Sequence, residues 1–427
     1  MACARHVGVG LLALASGIAA MAVIIDRAPV ARAAEPDQTQ SKNETVRPEV
    51  GTPLQAAQAL IREKKYREAL AKIREAENVK DKTPYEVYII DRMRGVAAAS
   101  AGDVAVAIRS FEAVIASGRM PPPEQLSMVE AVASLYYQMK DYPHTITWLS
   151  RYLKEGGTAP QTRALLAEAY YLNRDYGEAA KELSAEVQAD ETAGRPPPKD
   201  RLELLANCYV KQKDTPGVVT ALEKLVTYYP KRDYWLDLLR YVETRPGFVP
   251  RLALDVYRLR FALGLLDTDA QFVEMTQLAL QAGFPDEAKR VLDKGFAGGA
   301  LGTGAEADRH RRLRDLVAKN VADDQRTLLS DEGAAAAAKD GTGLVNIGFA
   351  HVSRGEIDKG IDLMEKGLRK GGMKYPDDAT LHLGIACLMG RRRERAIQVL
   401  KTVKGTDGAA GLARLWIIHA TAGSPSP

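Results

Sequence analysis

Cysteine is scarce in this chain: Cys3, Cys208 and Cys387 are the three in 427 residues. None belongs to a CxxC pair, so no thiol-redox motif or zinc ribbon is encoded. Cys208 and Cys387 are distant in sequence and sit within apolar helical stripes, which predicts small buried hydrophobes rather than a disulfide or a metal pair. Aromatic residues make up only 6%. Excess charge is also missing, since 59 basic and 55 acidic residues leave +4. Nucleic-acid binders concentrate positive charge, so no nucleic-acid partner is expected. Beyond Ile25 no apolar run approaches the ~20 residues of a spanning helix.

Catalytic motifs are absent as well. There is no GxSxG, HExxH, P-loop lysine motif or Rossmann glycine fingerprint. The stretch after Val403 is too short for an appended catalytic domain. The expectation is therefore a protein that is not an enzyme, with no cofactor, metal or small-molecule substrate. The six histidines are scattered. His310, in Asp308-Arg309-His310-Arg311-Arg312, reads as part of a solvated helical face. His351 reads as a packed or hydrogen-bonded histidine on an inner helix.

At the amino end, Arg5 and His6 precede an apolar run from Val7 to Ile25. Asp26, Arg27 and then Ala31-Arg32-Ala33-Ala34-Glu35 follow. A basic start, an apolar stretch and a small-residue cleavage site make 1–34 a secretory signal. The run is close to spanning length, so an uncleaved inner-membrane anchor is the alternative, and the only membrane contact expected. Residues 35–52 are polar and proline-containing, which reads as a disordered linker. So few cysteines in an exported chain indicate an envelope protein that does not rely on disulfides.

What the chain has in quantity is a recurring small residue. Ala69, Ala107, Thr145, Ala179, Val218, Ala288, Gly360 and Ala396 lie roughly 34 to 39 residues apart, or about double that, the period of a helix-turn-helix repeat. Twelve positions before each comes another, mostly small: Ala57, Gly95, Ala133, Ala167, Ala206, Thr276, Gly348 and Gly384. Where the two helices of a hairpin cross, backbones approach closely and only a small side chain fits without strain. Ala101-Gly102-Asp103 marks one turn, followed by Ala107, Phe111 and Val114 at helical spacing. The same order returns at Asp141-Tyr142, Asp175-Tyr176 and Asp214. By length and period the chain holds about nine or ten units. Irregular stretches at Met120–Pro123, Gly194–Pro198 and Gly295–Gly304 are loops or bends between pairs.

These residues resemble the tetratricopeptide repeat. The likeness is strong over Pro53–Pro230 and Gly341–Val403, and weak over Lys231–Leu265 and Ala305–Asp340. It implies an all-α fold, an α-solenoid of stacked helix-turn-helix repeats forming a right-handed superhelix. The organisation expected is a signal at 1–34, a linker at 35–52 and an N-terminal array at 53–230. Degenerate hairpins at 231–340, a C-terminal repeat pair with a capping helix at 341–418, and a disordered tail at 419–427 complete it. Tyr136, Tyr170 and Tyr209 recur at one place on successive inner helices and read as packing between repeats. One residue further round, Tyr137 and Tyr171, with Glu130, Ser134, Gln138, Glu168, Asn207 and Lys211, are candidates for a concave peptide-binding surface. Asn207 and Arg92 lack the companions of a carboxylate-gripping cluster, and Glu130 and Glu168 would oppose a carboxylate. The basic cluster Arg391-Arg392-Arg393-Glu394-Arg395 reads as a solvated turn, with docking to an acidic protein or to lipid headgroups as the alternative.

A narrower resemblance lies in Gly194-Arg195-Pro196-Pro197, Leu222-Glu223, Tyr229–Leu236 and the Gly372–Asp378, Gly384, Ala396 and Leu415-Trp416 pattern. These are similar to tetratricopeptide proteins that accompany TonB, ExbB and ExbD homologues in Gram-negative envelopes. The likeness implies a periplasmic scaffold with a protein partner in an energised outer-membrane transport system. The alternative is an adaptor in outer-membrane assembly or polysaccharide export.

Overall fold

The computed structural model describes residues 45–244 and 248–422. The expected signal lies outside the described residues. Among those described, the chain is all-α, with no β-strand. It divides into two compact units, 45–189 and 190–422.

The first unit runs α1 (Pro48–Arg62), α2 (Tyr66–Glu77), α3 (Pro84–Ala101), α4 (Val104–Ala116), α5 (Pro122–Gln138), α6 (Tyr142–Lys154), α7 (Pro160–Leu172) and α8 (Tyr176–Thr192), the last crossing the unit boundary. Helices α1 and α2, α3 and α4, and α5 and α6 pack as hairpins, and each hairpin packs on the next helix in line. Proline opens α1, α3, α5 and α7, where its fixed φ suits the first turn and its missing N–H costs nothing.

The second unit holds α9 (Lys199–Gln212), α10 (Thr215–Tyr228), α11 (Arg232–Thr244), α12 (Ala253–Ala262), α13 (Asp269–Gln281), α14 (Pro285–Ala297) and α15 (Ala307–Ala337). It continues with α16 (Thr342–Ser353), α17 (Ile357–Lys370), α18 (Pro376–Met389), α19 (Arg393–Leu400) and α20 (Ala409–Ala422). Hairpins form from α9–α10, α13–α14, α16–α17 and α18–α19. Helix α20 then packs back on α10 and α12, so the end of this unit returns to its beginning.

The small-residue register holds throughout. Both members of all eight pairs, from Ala57 and Ala69 to Gly384 and Ala396, are buried. At the α16–α17 crossing two backbones nearly touch. A methyl group on Gly348 would fall 2.6 Å from the Gly360 carbonyl oxygen, and one on Gly367 would fall 2.7 Å from that of Gly341. Repeats are thus keyed together at the positions where the sequence withholds bulk.

Four boundaries differ from those expected. Helix α1 begins at Pro48, inside the expected linker, because the apolar stripe already starts at fully buried Val50. Helix α20 runs to Ala422, into the expected tail, with His419 edge-on to buried Trp416 at 5.8 Å. Residues 307–337 form one 31-residue helix instead of a hairpin. No proline or glycine interrupts this stretch before Gly333, and alanines of high helix propensity follow. The two units part at 189/190, near the Gly194–Pro198 break, and not at 230.

Candidate functional site

The hairpin turns set the angle at which each inner helix presents its side chains. Just before each second helix one residue adopts a left-handed backbone: Lys64, Gly102, Lys140, Arg174, Lys213, Gly283, Gly355 and Arg391. An aspartate follows at several of them and caps the new helix. Asp103, Asp141 and Asp214 each accept a hydrogen bond from a backbone N–H of the first turn, at 3.2, 3.3 and 3.0 Å. The aspartates were visible in the sequence as turn markers; the left-handed lysines and arginines beside them were not, because L-residues rarely adopt that conformation.

The first unit brings four of the candidate residues together along α5 and α7. Thr162 donates to the Glu130 carboxylate at 2.7 Å. The Tyr137 hydroxyl donates to Glu168 at 2.9 Å, and the Tyr137 ring packs edge-on to Tyr142. Ser134 donates to the Glu130 backbone carbonyl at 2.9 Å. Burial, reinforced by the Glu168 carboxylate, pushes the Tyr137 phenol well above its ordinary range. Tyr171, further along α7, packs edge-on to Tyr176 at 5.5 Å. Gln138 is exposed at the end of α5. In the second unit Asn207 is half-buried on α9 and Lys211 is exposed near its end.

Tyr136, read as packing, and Tyr137, a candidate for the binding face, both tie helices together. Tyr136 donates to Glu112 on α4 at 2.7 Å and stacks on the His144 ring at 4.8 Å. Arg92 on α3 donates to Glu124 on α5 at 2.9 Å and to the Tyr88 hydroxyl at 3.1 Å. In the second unit Tyr234 donates to Glu203 with the same spacing. Sequence reasoning missed these links; a Tyr or Arg facing a Glu about one repeat away was the available signal.

Two further readings are corrected or refined. His310 is not on a solvated face. It is 2% exposed, and its Nδ1 accepts the Gly302 backbone N–H at 3.2 Å. The glycine-containing loop before α15 folds over it, while its charged sequence neighbours Arg311 and Arg312 point outward and misled the reading. The arginine cluster at 391–395 is largely engaged within the chain. Arg392 pairs with Asp358, Arg395 with Glu365, and Arg393 donates to the Thr421 carbonyl at 3.2 Å. His351 is packed as expected, 1% exposed with Nδ1 2.8 Å from Glu356. Cys208 and Cys387 are buried free thiols, and burial pushes Cys208 up to about 12.

The second unit also holds a buried ionic cluster. Arg258 donates to Glu287 at 2.9 and 2.7 Å and to Asp255 at 2.8 Å, all three nearly inaccessible. The rings of Phe349 and Phe284 lie 4.3 and 5.0 Å from its guanidinium. Burial alone would raise the Asp255 carboxyl, yet His382 and Arg258 hold it down to about 2. Arg251 adds a link of high sequence separation, to Asp378 at 2.7 Å and to Asp407. These pairs link α12 to α14 and α18, and the short turn before α12 to α18 and the α19–α20 loop. Among the described residues no group of three or more His, Cys, Asp or Glu is placed to hold a metal.

The family described as "Tetratricopeptide repeat" matches residues 92–160. That span covers α4 and α5–α6, with most of α3 and the Glu130–Tyr137 part of the candidate face. Tetratricopeptide repeats imply a scaffold for protein–protein interaction. No curated protein sequence matches the chain. Among solved structures, a chain of the Naa15/Naa10 complex bound to HypK-THB is 16% identical with a TM-score of 0.30; the match covers 82% of this chain and 62% of that one. The TPR2AB domain of yeast Sti1 in its pHSP90 complex is 11% identical with a TM-score of 0.24, covering 70% of this chain and 99% of that one. The P58(IPK) TPR domain is 13% identical with a TM-score of 0.22, covering 87% and 97%. The chain thus spans about 62% of the length of the first of these.

Proposed function

We propose that this chain is a non-catalytic scaffold, exported to the periplasm, whose first unit takes a protein partner along the α3, α5 and α7 face. The observation that carries the reading is the row of half-buried tyrosines and carboxylates on α5 and α7, presented by hairpins locked at their small-residue crossings. Tyrosine supplies large contact area with few rotatable bonds, and carboxylates select polar or basic segments. Export rests on the order Arg5, Val7–Ile25, Ala31–Ala34 in the sequence. The Gly194–Pro198 and Tyr229–Leu236 patterns point to a component of a TonB, ExbB and ExbD-type system as the partner.

In-cell crosslinking of the mature protein, followed by identification of the captured chains, tests the reading. Capture of an ExbB, ExbD or TonB-type component, lost in the Tyr137→Ala, Tyr171→Ala double variant, is the expected result. Undiminished capture by that variant removes the α5–α7 face. Capture solely of outer-membrane assembly or polysaccharide-export proteins overturns the transport role and leaves the scaffold reading intact.

A further inference from the structure

The α5–α7 face of the first unit carries charge of one sign that the chain does not balance. Helix α5 has no lysine or arginine, and α7 has only Arg163, which pairs with Glu182 at 3.4 Å. Buried Glu86 and Asp91 and half-buried Glu124 each have an arginine partner: Arg47, Arg94 and Arg92. Glu130 and Glu168 are half-buried too, yet the groups donating to them are the neutral hydroxyls of Thr162 and Tyr137. Neither has an ion pair among the described residues. A hydroxyl satisfies one lone pair and leaves the charge in place. Partial burial makes that charge costly, and a cation brought by a partner offsets the cost.

The helices also fix a spacing. Thr162 with Glu130, and Tyr137 with Glu168, are two rungs between α5 and α7, at 2.7 and 2.9 Å. The rungs are separated by residues 130 to 137 on α5 and 162 to 168 on α7, which at about 1.5 Å per residue puts them roughly 9 to 10 Å apart. One carboxylate hangs from each helix, one per rung. Because the helices are bridged directly, a partner α-helix, about 10 Å across, would rest on the rims, whereas long side chains reach the rungs. In an extended chain with three residues per turn and about 3.1 Å per residue, positions i and i+3 share a face about 9 Å apart. At the second rung the Tyr137 ring lies 6.0 Å from Tyr142, and Tyr171 follows on α7, 5.5 Å from Tyr176. Aromatic rings beside a carboxylate suit a guanidinium or ammonium group.

We propose that the partner segment taken by this face is extended and basic, with two arginine or lysine side chains three positions apart, one meeting Glu130 and the other Glu168. The inference rests on the protein-binding reading of the α5–α7 face and names the chemistry of what that face takes.

The test is fluorescence anisotropy of labelled serine–proline peptides titrated with the full chain at pH 7 and low salt, where screening is weak. A peptide with arginines at i and i+3 should bind at least about tenfold tighter than one with the two arginines adjacent, because only the first engages both carboxylates at once. Glu130→Gln and Glu168→Gln should each weaken it at least about fivefold. Neither should move the thermal midpoint, since glutamine still accepts from Thr162 or Tyr137. Glu112→Gln, which removes a charge paired with Tyr136 on α4, should leave affinity unchanged. Equal binding of the two spacings, tighter binding of a helical peptide with arginines at i and i+7, saturable binding of the glutamate counterpart, or no binding at millimolar concentration overturns the proposal. If a glutamine variant fails to fold, the spacing series on the wild type decides alone. In-cell capture separates this inference from the reading beneath it. Undiminished capture by the Glu130→Gln, Glu168→Gln double variant, where Tyr137→Ala, Tyr171→Ala abolishes it, overturns the basic segment and leaves the face standing. Undiminished capture by both double variants overturns both.

Discussion

The α16–α17 crossing allows one substitution to be predicted with opposite signs at two places in the same unit. Gly348 and Gly333 both lie inside helices, α16 and α15. On propensity alone, alanine for glycine in a helix stabilises by about 1 kcal/mol, because glycine loses more freedom on folding. At Gly333 nothing lies within 4 Å of a new methyl group, so that gain should be realised almost in full. At Gly348 the methyl would sit 2.6 Å from the Gly360 carbonyl oxygen and 2.9 Å from the Met364 backbone nitrogen. Ordinary contact is about 3.5 Å, so the helices must part by roughly an ångström. Overpacking of this kind costs about 1–3 kcal/mol, at the upper end where the obstacle is backbone and not a movable side chain. Subtracting the propensity gain leaves Gly348→Ala destabilised by about 2 kcal/mol and Gly333→Ala stabilised by up to about 1 kcal/mol. Urea unfolding followed by circular dichroism should place their midpoints on opposite sides of the wild type. Two midpoints shifted in the same direction would refute the claim that small residues are selected by the closeness of the crossings.

Two further outcomes follow from local geometry in the first unit. Lys140 holds a left-handed backbone at φ 60° before α6, so Lys140→Gly should raise the urea midpoint by the equivalent of about 0.5 kcal/mol, strain relief exceeding the added chain entropy. Buried Glu86 accepts the Arg47 side chain at 2.9 Å and the Thr83 N–H at 2.8 Å, and the Arg47 guanidinium chiefly holds its carboxyl down to about 2. A carboxyl depressed on folding stabilises above its unfolded pKa; that stability is lost as pH falls from about 4.5 towards 2, so Glu86→Gln should flatten the acid limb of a midpoint-versus-pH curve and lower its neutral plateau.

What the sequence made legible was the periodic part. A helix crossing needs two small residues at a fixed separation, and the demand repeats with each hairpin, so Ala57 and Ala69 announce the same geometry as Gly384 and Ala396. Turn aspartates were legible for a similar reason, since capping needs an acceptor at one position. Illegible were contacts without a period. Arg251 reaches Asp378 and Asp407 across more than a hundred residues, and Arg414 on α20 approaches Glu223 on α10 at 3.3 Å. No local pattern encodes such partners, so the return of α20 onto α10 and α12 could not be read. His310 was misread because the burial of a helical histidine is decided by a loop that sequence periodicity does not place. For the candidate face, residue types were legible but their pairings were not: Tyr137 with Glu168 and Glu130 with Thr162 become visible only once α5 and α7 are side by side.

Those pairings change what recognition on this face requires. A groove of free side chains would gain each partner hydrogen bond against water. On the proposed reading each carboxylate has already committed one oxygen inside the unit: Tyr137 donates to Glu168 and Thr162 to Glu130. A carboxylate has two oxygens and several lone-pair sites, so a partner donor would add to Glu168 or Glu130 without releasing the tyrosine or threonine. A segment that instead pulled Glu168 away would leave the half-buried Tyr137 hydroxyl unsatisfied, at a cost of about 1–3 kcal/mol. The pairings would therefore admit donors that approach the remaining lone pairs and penalise segments that break the existing bond. Contact with the half-buried rings of Tyr137 and Tyr171 would supply the apolar part of the affinity, which is why the tyrosine double variant is the test of binding.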